Sequence, residues 1–458
     1  MSKKIIKNGT VISMDSSMGI LENADILIED DCILEVGHNI EAADAEIIDG
    51  AGSIIIPGLI NAHLHTWQTG LRGIAGNWTS VDYQKNIHHG VAMVYTPEAT
   101  YLGNLVGAWG QMNAGTTTIM DWCHVNATPE HTDGAIDALE ESGIRAMFAH
   151  GTVKPKKKEG EKHFSEIPHP RSEIERLRKG RLASDDALVT LGMAILGPEN
   201  SILEVMMKDF ALAREFGLVS SSHTWNRKNR VVKEGFYPVA EAGLLGPDHN
   251  IVHGNYLEDD ELKMLIDHGV TVTATPTVEA QSAKAYPLCG RVRKLGDQVS
   301  LGSDTDVFAA SDMFHVMRFA LQFQHAIDCR EELNDHMPIE KLATSPYEAL
   351  EWATIAGARA LRMEDRIGSI TPGKKADLVM LKIDDLCLEP IHDPVNTVVL
   401  FADRSSVDAV MIGGEFVKKD GQMILAKKEM AEKKDQLKKS VDKVFELAGY
   451  DRQTQSIA

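Results

Sequence analysis

The sequence predicts an α/β chain, a (β/α)8 TIM-like barrel with a small β-sandwich domain formed from both chain ends. Three observations carry that expectation. Eight short apolar runs, each followed by a helical stretch, fill the middle of the chain. Strand-like texture punctuated by Gly, Asp and Asn occupies both ends, and polar residues gather just past the carboxyl ends of the apolar runs.

Residues 4–12, 24–29 and 32–36 read as short antiparallel strands. The barrel runs are 58–62, 116–120, 146–149, 188–193, 218–222, 250–252, 270–274 and 298–301. Parallel strands covered on both faces need continuous apolar runs, and such barrels assemble their chemistry at the carboxyl ends. His63, Asp121, His150, His223, His253 and Asp304 all fall at or just beyond those ends. Residues 346–362 read as a helix with small residues on one face, and 376–381, 395–400 and 407–412 as returning strands. The expected organisation is 1–57 as the first part of the sandwich, 58–367 as the barrel, 368–424 as the second part, and 425–458 as a C-terminal helix and tail. Residues 153–181 break the rhythm with Lys154, Lys156, Lys157, Lys158 and three prolines. A lid over the barrel mouth is one reading; a solvated insertion, the usual fate of a charge run, is favoured.

Composition narrows the function. Of 458 residues, 43% are apolar and 25% charged, enough to bury a sizeable core. The balance of 47 basic against 67 acidic residues gives −20, which opposes nucleic acid and anionic membrane surfaces as partners. The N-terminal stretch contains no long apolar core, so neither a signal peptide nor a membrane span is expected. Five scattered cysteines without a CxxC pair fit a reducing, cytoplasmic setting.

His63-Leu64-His65 is an HxH at a strand end, where residues two apart project to the same side and both imidazoles can reach one point. Neutral imidazole suits zinc or iron, and a catalytic zinc takes about three protein ligands plus an open position. His223, His253 and Asp304 stand at the ends of the fifth, sixth and eighth runs. Each alone is compatible with a satisfied interior histidine or a helix cap; together at one face of one barrel they read as a site.

The segments PGLINAHLHT, NAGTTT, SSHTWN, IVHGN and LGSD, with the closing TIAGARALRMEDRIGSITPGKKADLVML, resemble the amidohydrolase superfamily over nearly the whole chain. The chain is most similar to its mononuclear branch of cytosine, guanine and S-adenosylhomocysteine deaminases and triazine and phenylurea hydrolases. The resemblance implies His63, His65, His223 and Asp304 as ligands of one divalent metal, zinc first, with iron, manganese or cobalt as alternatives. It implies Asp304 and His253 as catalytic residues, a small-molecule substrate and a homo-oligomer. The fourth run, LGMAILGPEN, carries no lysine to bridge a second metal.

One departure matters. Most deaminases of this branch read HxxE at the third ligand, whereas this chain reads His223-Thr224-Trp225-Asn226. Asparagine cannot carry a proton, although its amide still hydrogen-bonds. An amide or urea carbonyl needs no ring protonation, so the expected reaction is hydrolysis of a non-peptide C–N bond in an N-substituted or aryl urea, amide or carbamate by metal-activated hydroxide. The alternative is deamination or dechlorination of an N-heterocycle such as a triazine, purine or pyrimidine; a catalytically silent metal-binding barrel is a third reading. Asn226, Trp67, Gln68, Trp122, Trp225 and Glu279 are the expected substrate contacts, with Glu279 a candidate replacement acid and the two HTW tryptophans expected to face one cavity.

Overall fold

Eight parallel strands follow one another in the computed structural model: Leu59–Leu64, Thr116–Cys123, Arg145–His150, Val189–Ile195, Val219–Thr224, His249–His253, Thr271–Ala274 and Ser300–Leu301. The structure describes residues 3–226, 228–282, 285–334, 338–384 and 386–457, with 331–334 as backbone only. Each strand pairs with its sequence neighbours, so the barrel runs in chain order. Closure comes at the functional end: the His65 N–H donates to the Asp304 carbonyl (2.7 Å) and the Asp304 N–H to the His63 carbonyl (3.0 Å). The first four strands are buried at every position, because side chains fill the barrel inside and helices cover it outside.

Helix Pro97–Asn113 shows how the sequence positions the mouth. Thr96 caps it by accepting from the Ala99 N–H (3.1 Å), with Pro97 at the first helical position. Gly103 then lets the helix lie against the turn that follows His65, since a Cβ there would sit 2.6 Å from the Trp67 carbonyl oxygen. The C-terminal helix, Lys427–Ala448, packs on the same helix and turn, burying Leu437, Val441, Val444 and Phe445.

The two chain ends meet in one nine-stranded sheet. Strand Ser53–Pro57 pairs antiparallel with Leu378–Lys382, which joins the N-terminal strands to Val407–Ile412 and the strands after it. Strand alternation divides the faces: Ile55, Leu378, Met380, Ala409 and Met411 build the sheet's own core, while Ile54, Ile56, Val379, Leu381 and Val410 join the barrel's.

Two expected elements differ. Residues 395–400 form part of helix Pro394–Leu400, not a strand; Asp393 caps it by accepting from the Asn396 N–H (2.8 Å), and this local signal prevails over a β-branched run too short to fix a period. The single helix expected over 346–362 is two, Pro346–Trp352 and Ile355–Ala360. The Ala353 carbonyl accepts from Ile60 of the first barrel strand (2.8 Å), and the backbone bends at Thr354 to allow it. The five cysteines are free thiols, and no helix among the described residues is long and apolar enough to cross a membrane.

Candidate metal centre

The ends of two barrel strands and one loop converge on a point at the carboxyl end. Nε2 of His63 and Nε2 of His65 lie 3.5 and 3.4 Å from Asp304 Oδ1. His223 Nε2 lies 3.2 Å from His63 Nε2, and the ligand atoms of all four residues fall within 4.8 Å of one another. His65 Nδ1 donates to the Trp122 carbonyl (2.6 Å), which turns the lone pair of Nε2 toward the cluster. Three imidazoles and one carboxylate, all converging and none exposed, are a donor set suited to a divalent metal.

Backbone strain helps to aim these groups. Asp304 and His253 adopt left-handed φ values of 62° and 76°, uncommon for residues with a side chain, where a strand gives way to the site. His253 is held on both sides. Its Nδ1 is 3.2 Å from Glu279 Oε1 and 3.1 Å from Thr275 Oγ1, and its Nε2 faces Asp304 Oδ2 across 3.9 Å.

The electrostatics favour metal-ready ligands. Burial, reinforced by the neighbouring His63 imidazole, pushes His65 down to about 3, so it is neutral at pH 7. Burial and its histidine neighbours hold His223 well below the usual imidazole value. Burial acts to raise Asp304, but the hydrogen bond with His63 and the fields of His253, His63 and His65 outweigh it and keep the carboxyl below its ordinary range. Neutral imidazoles and an ionised carboxylate are the forms that bind a metal.

Above the cluster lies a cavity of 240 Å³ whose wall includes His65, His223, His253 and Asp304. Of the six expected substrate contacts, Trp225 alone lines it, with its indole stacked on His253 at 3.9 Å. Asn226 turns away: its φ is 58° and its side-chain amide donates to the Tyr256 carbonyl (2.9 Å). Trp67 is fully buried and donates from Nε1 to His124 (3.1 Å), so the two HTW tryptophans do not share the cavity. Gln68 lies behind it, donating to the Tyr83 hydroxyl (2.7 Å) and thereby bracing a ring that does line the wall. Trp122 packs edge-on against His223 at 4.4 Å, and Glu279 is spent on His253 and the Thr275 N–H (3.1 Å). Asp121 and His150, at neighbouring strand ends, also stay outside: Asp121 binds Asn104 (2.7 Å) and His150 binds His169 (2.9 Å).

Two charged wall residues are absent from the expected site. Glu199 follows the fourth barrel strand in Gly197–Asn200, and Lys154 follows the third. Both obey the carboxyl-end rule that singled out the histidines, a few residues further on. Lys154 stood inside a charge run expected to be solvated; instead it is 6% exposed, with its ammonium 5.9 Å from the Trp122 ring centre, while Lys156, Lys157 and Lys158 are on the surface.

The model of the Amidohydrolase family matches residues 54–417. The chain belongs to the amidohydrolase family. This amidohydrolase is a metal-dependent hydrolase acting on carbon–nitrogen bonds other than peptide bonds. It is 30% identical to a 5'-deoxyadenosine deaminase of Methanothermobacter thermautotrophicus over 423 residues, 88% of this chain and 91% of the relative. It is 28% identical over 428 residues to a 5-methylthioadenosine/S-adenosylhomocysteine deaminase of Thermoanaerobacter pseudethanolicus, covering 90% and 93%. Among solved structures it resembles a zinc-bound adenosine deaminase from Xanthomonas campestris (TM-score 0.80, 21% identity, covering 97% and 98%). It also resembles a zinc complex of atrazine chlorohydrolase from Arthrobacter aurescens (TM-score 0.78, 19% identity, covering 94% and 99%). The two solved structures share the fold of this chain over nearly its whole length.

Proposed function

We propose that this amidohydrolase is an aminohydrolase of an N-heterocycle, removing an exocyclic amine from an adenine-type nucleoside as ammonia. One observation carries the reading: the Trp225 indole, stacked on His253, gives the cavity beside the ligand cluster a flat aromatic wall suited to a planar ring. The deaminase names of relatives that span about nine-tenths of the chain support it. The argument for ureas and amides rested on Asn226, whose side chain lies outside the cavity and so says nothing about the acid available there.

The residues divide the work. His63, His65, His223 and Asp304 would hold zinc, which lowers the pKa of its water from ~15.7 to ~7 and polarises the carbon under attack. Asp304 presents one oxygen to the histidine ligands and the other toward His253, so it can take a proton at Oδ2 and pass it to the departing amine. His253, fixed by Glu279 and Thr275, offers Nε2 to the oxygen forming at the attacked carbon.

Conversion of adenine nucleosides to the hypoxanthine forms, followed by ultraviolet absorbance, tests this. Turnover should vanish with a chelator and return with zinc. No turnover across aminopurine and aminopyrimidine nucleosides, with brisk amine release from aryl ureas, would reverse the assignment.

A further inference from the structure

The deaminase reading leaves one role without an occupant: a group that moves a proton from water to the ring nitrogen, so that the ring gives up its aromaticity as the carbon becomes tetrahedral. Neither Asn226 nor Glu279 reaches the cavity, and Asp121 is committed to Asn104 and the Thr66 N–H. Among the described residues lining the cavity, the only carboxylates are Asp304, a member of the ligand cluster, and Glu199.

We propose that Glu199 is the proton carrier of this site, supplied from the loop after the fourth barrel strand in place of the acid missing at Asn226. Its Oε1 accepts from the backbone N–H of Trp225 (3.0 Å) and of Asn226 (2.5 Å). Both amides belong to the segment just beyond His223, so the carboxylate is tied to the ligand strand from which an HxxE acid would have come. The left-handed turn at Asn226 faces its N–H to Glu199 while sending its side chain to Tyr256. Two backbone donors on one oxygen hold the carboxylate in place beside the cavity.

The protons balance. Glu199 takes one proton from the attacking water and gives it to the ring nitrogen; Asp304 takes the second from the resulting hydroxyl and gives it to the exocyclic amine as the C–N bond breaks. Substrate and water become the ring lactam and ammonia, and both carboxylates end as they began.

This inference rests on the aminohydrolase reading, and its test separates the two. The zinc-loaded full chain and Glu199→Gln would be compared with adenosine for turnover. Two binding probes accompany it: purine riboside, which must gain water and a ring proton to bind as its hydrate, and 1-deazaadenosine, which lacks that ring nitrogen. The expected result is a kcat loss of ~10²–10⁴-fold, KM within about threefold, and unchanged zinc content. Purine riboside should bind at least about a hundredfold more weakly, 1-deazaadenosine equally well, and Glu199→Asp should recover part of kcat with a shifted acid limb of the pH profile. A Glu199→Gln variant with kcat within about threefold, or with equal weakening of both probes, overturns the role of Glu199 while leaving the deaminase reading intact. A wild type that releases no ammonia overturns both.

Discussion

Asn226 and Glu279 are the residues whose roles change most between sequence and structure. With its amide on the Tyr256 carbonyl and its side chain outside the cavity, Asn226 has no path to substrate. Asn226→Gly, which keeps the left-handed backbone, should therefore leave kcat and KM within about threefold, read by steady-state kinetics, because the backbone N–H that holds Glu199 survives the change. Glu279 lies behind His253, bonded to its Nδ1. Glu279→Gln should lower kcat at least about tenfold with zinc content unchanged, because loosening a ring's supporting partner typically costs ~10–100-fold. The four residues of the cluster and His253 were legible as letters because each stands at or just past a strand end that the apolar runs already located. Side-chain direction was not: the left-handed backbone at Asn226 reverses what strand alternation alone would suggest. Glu199 was missed because its link to the site runs through backbone amides 26 and 27 residues away, which no spacing rule encodes.

At the scale of elements, the segment after the third barrel strand divides its lysines between wall and surface. Lys154 lines the cavity and contributes to keeping His65 and His223 neutral, although burial is the larger cause. Lys154→Met should lower kcat/KM by roughly tenfold or more, the usual scale for removing a buried charged group from a binding wall. Replacing Lys156, Lys157 and Lys158 together with alanine should change it less than about twofold. Equal effects from the two variants would mean that the segment acts as a whole. The eight strands were readable because burial on both faces enforces continuous apolar runs. The helix pair after Ser345 was not, since its break depends on the Ala353 carbonyl being taken by Ile60, nearly three hundred residues earlier in the chain. Helix Pro394–Leu400 was within reach: Asp-Pro before an apolar run is an N-cap signature that outweighs β-branched residues in so short a stretch.

Across the whole molecule, the barrel keeps several histidines buried and neutral, which makes the fold sensitive to acid. His249, in the sixth strand, hydrogen-bonds Ser220 (2.8 Å) and Ser222 (3.1 Å) and packs on Phe210; burial pushes it down to about 3. Because the folded value lies below the unfolded one of about 6.5, its contribution is complete above that pH and is lost as the pH falls toward 3. Between pH 6 and 4, His249→Gln should make the fall of unfolding free energy shallower by roughly 1.4 kcal/mol per pH unit, read by denaturant titration. An unchanged slope would show that His249 takes up no proton on unfolding.

Hydrolysis of the exocyclic amine of a nitrogen heterocycle is the proposed reaction, and kcat/KM of the zinc-loaded enzyme, measured side by side on adenosine and on a phenylurea, distinguishes it from urea hydrolysis. Ammonia release from the nucleoside should be preferred by roughly a thousandfold or more, the scale of transition-state stabilisation lost when a proton-carrying group and an oriented ring have no counterpart in the substrate. A preference of similar size for the urea would contradict it.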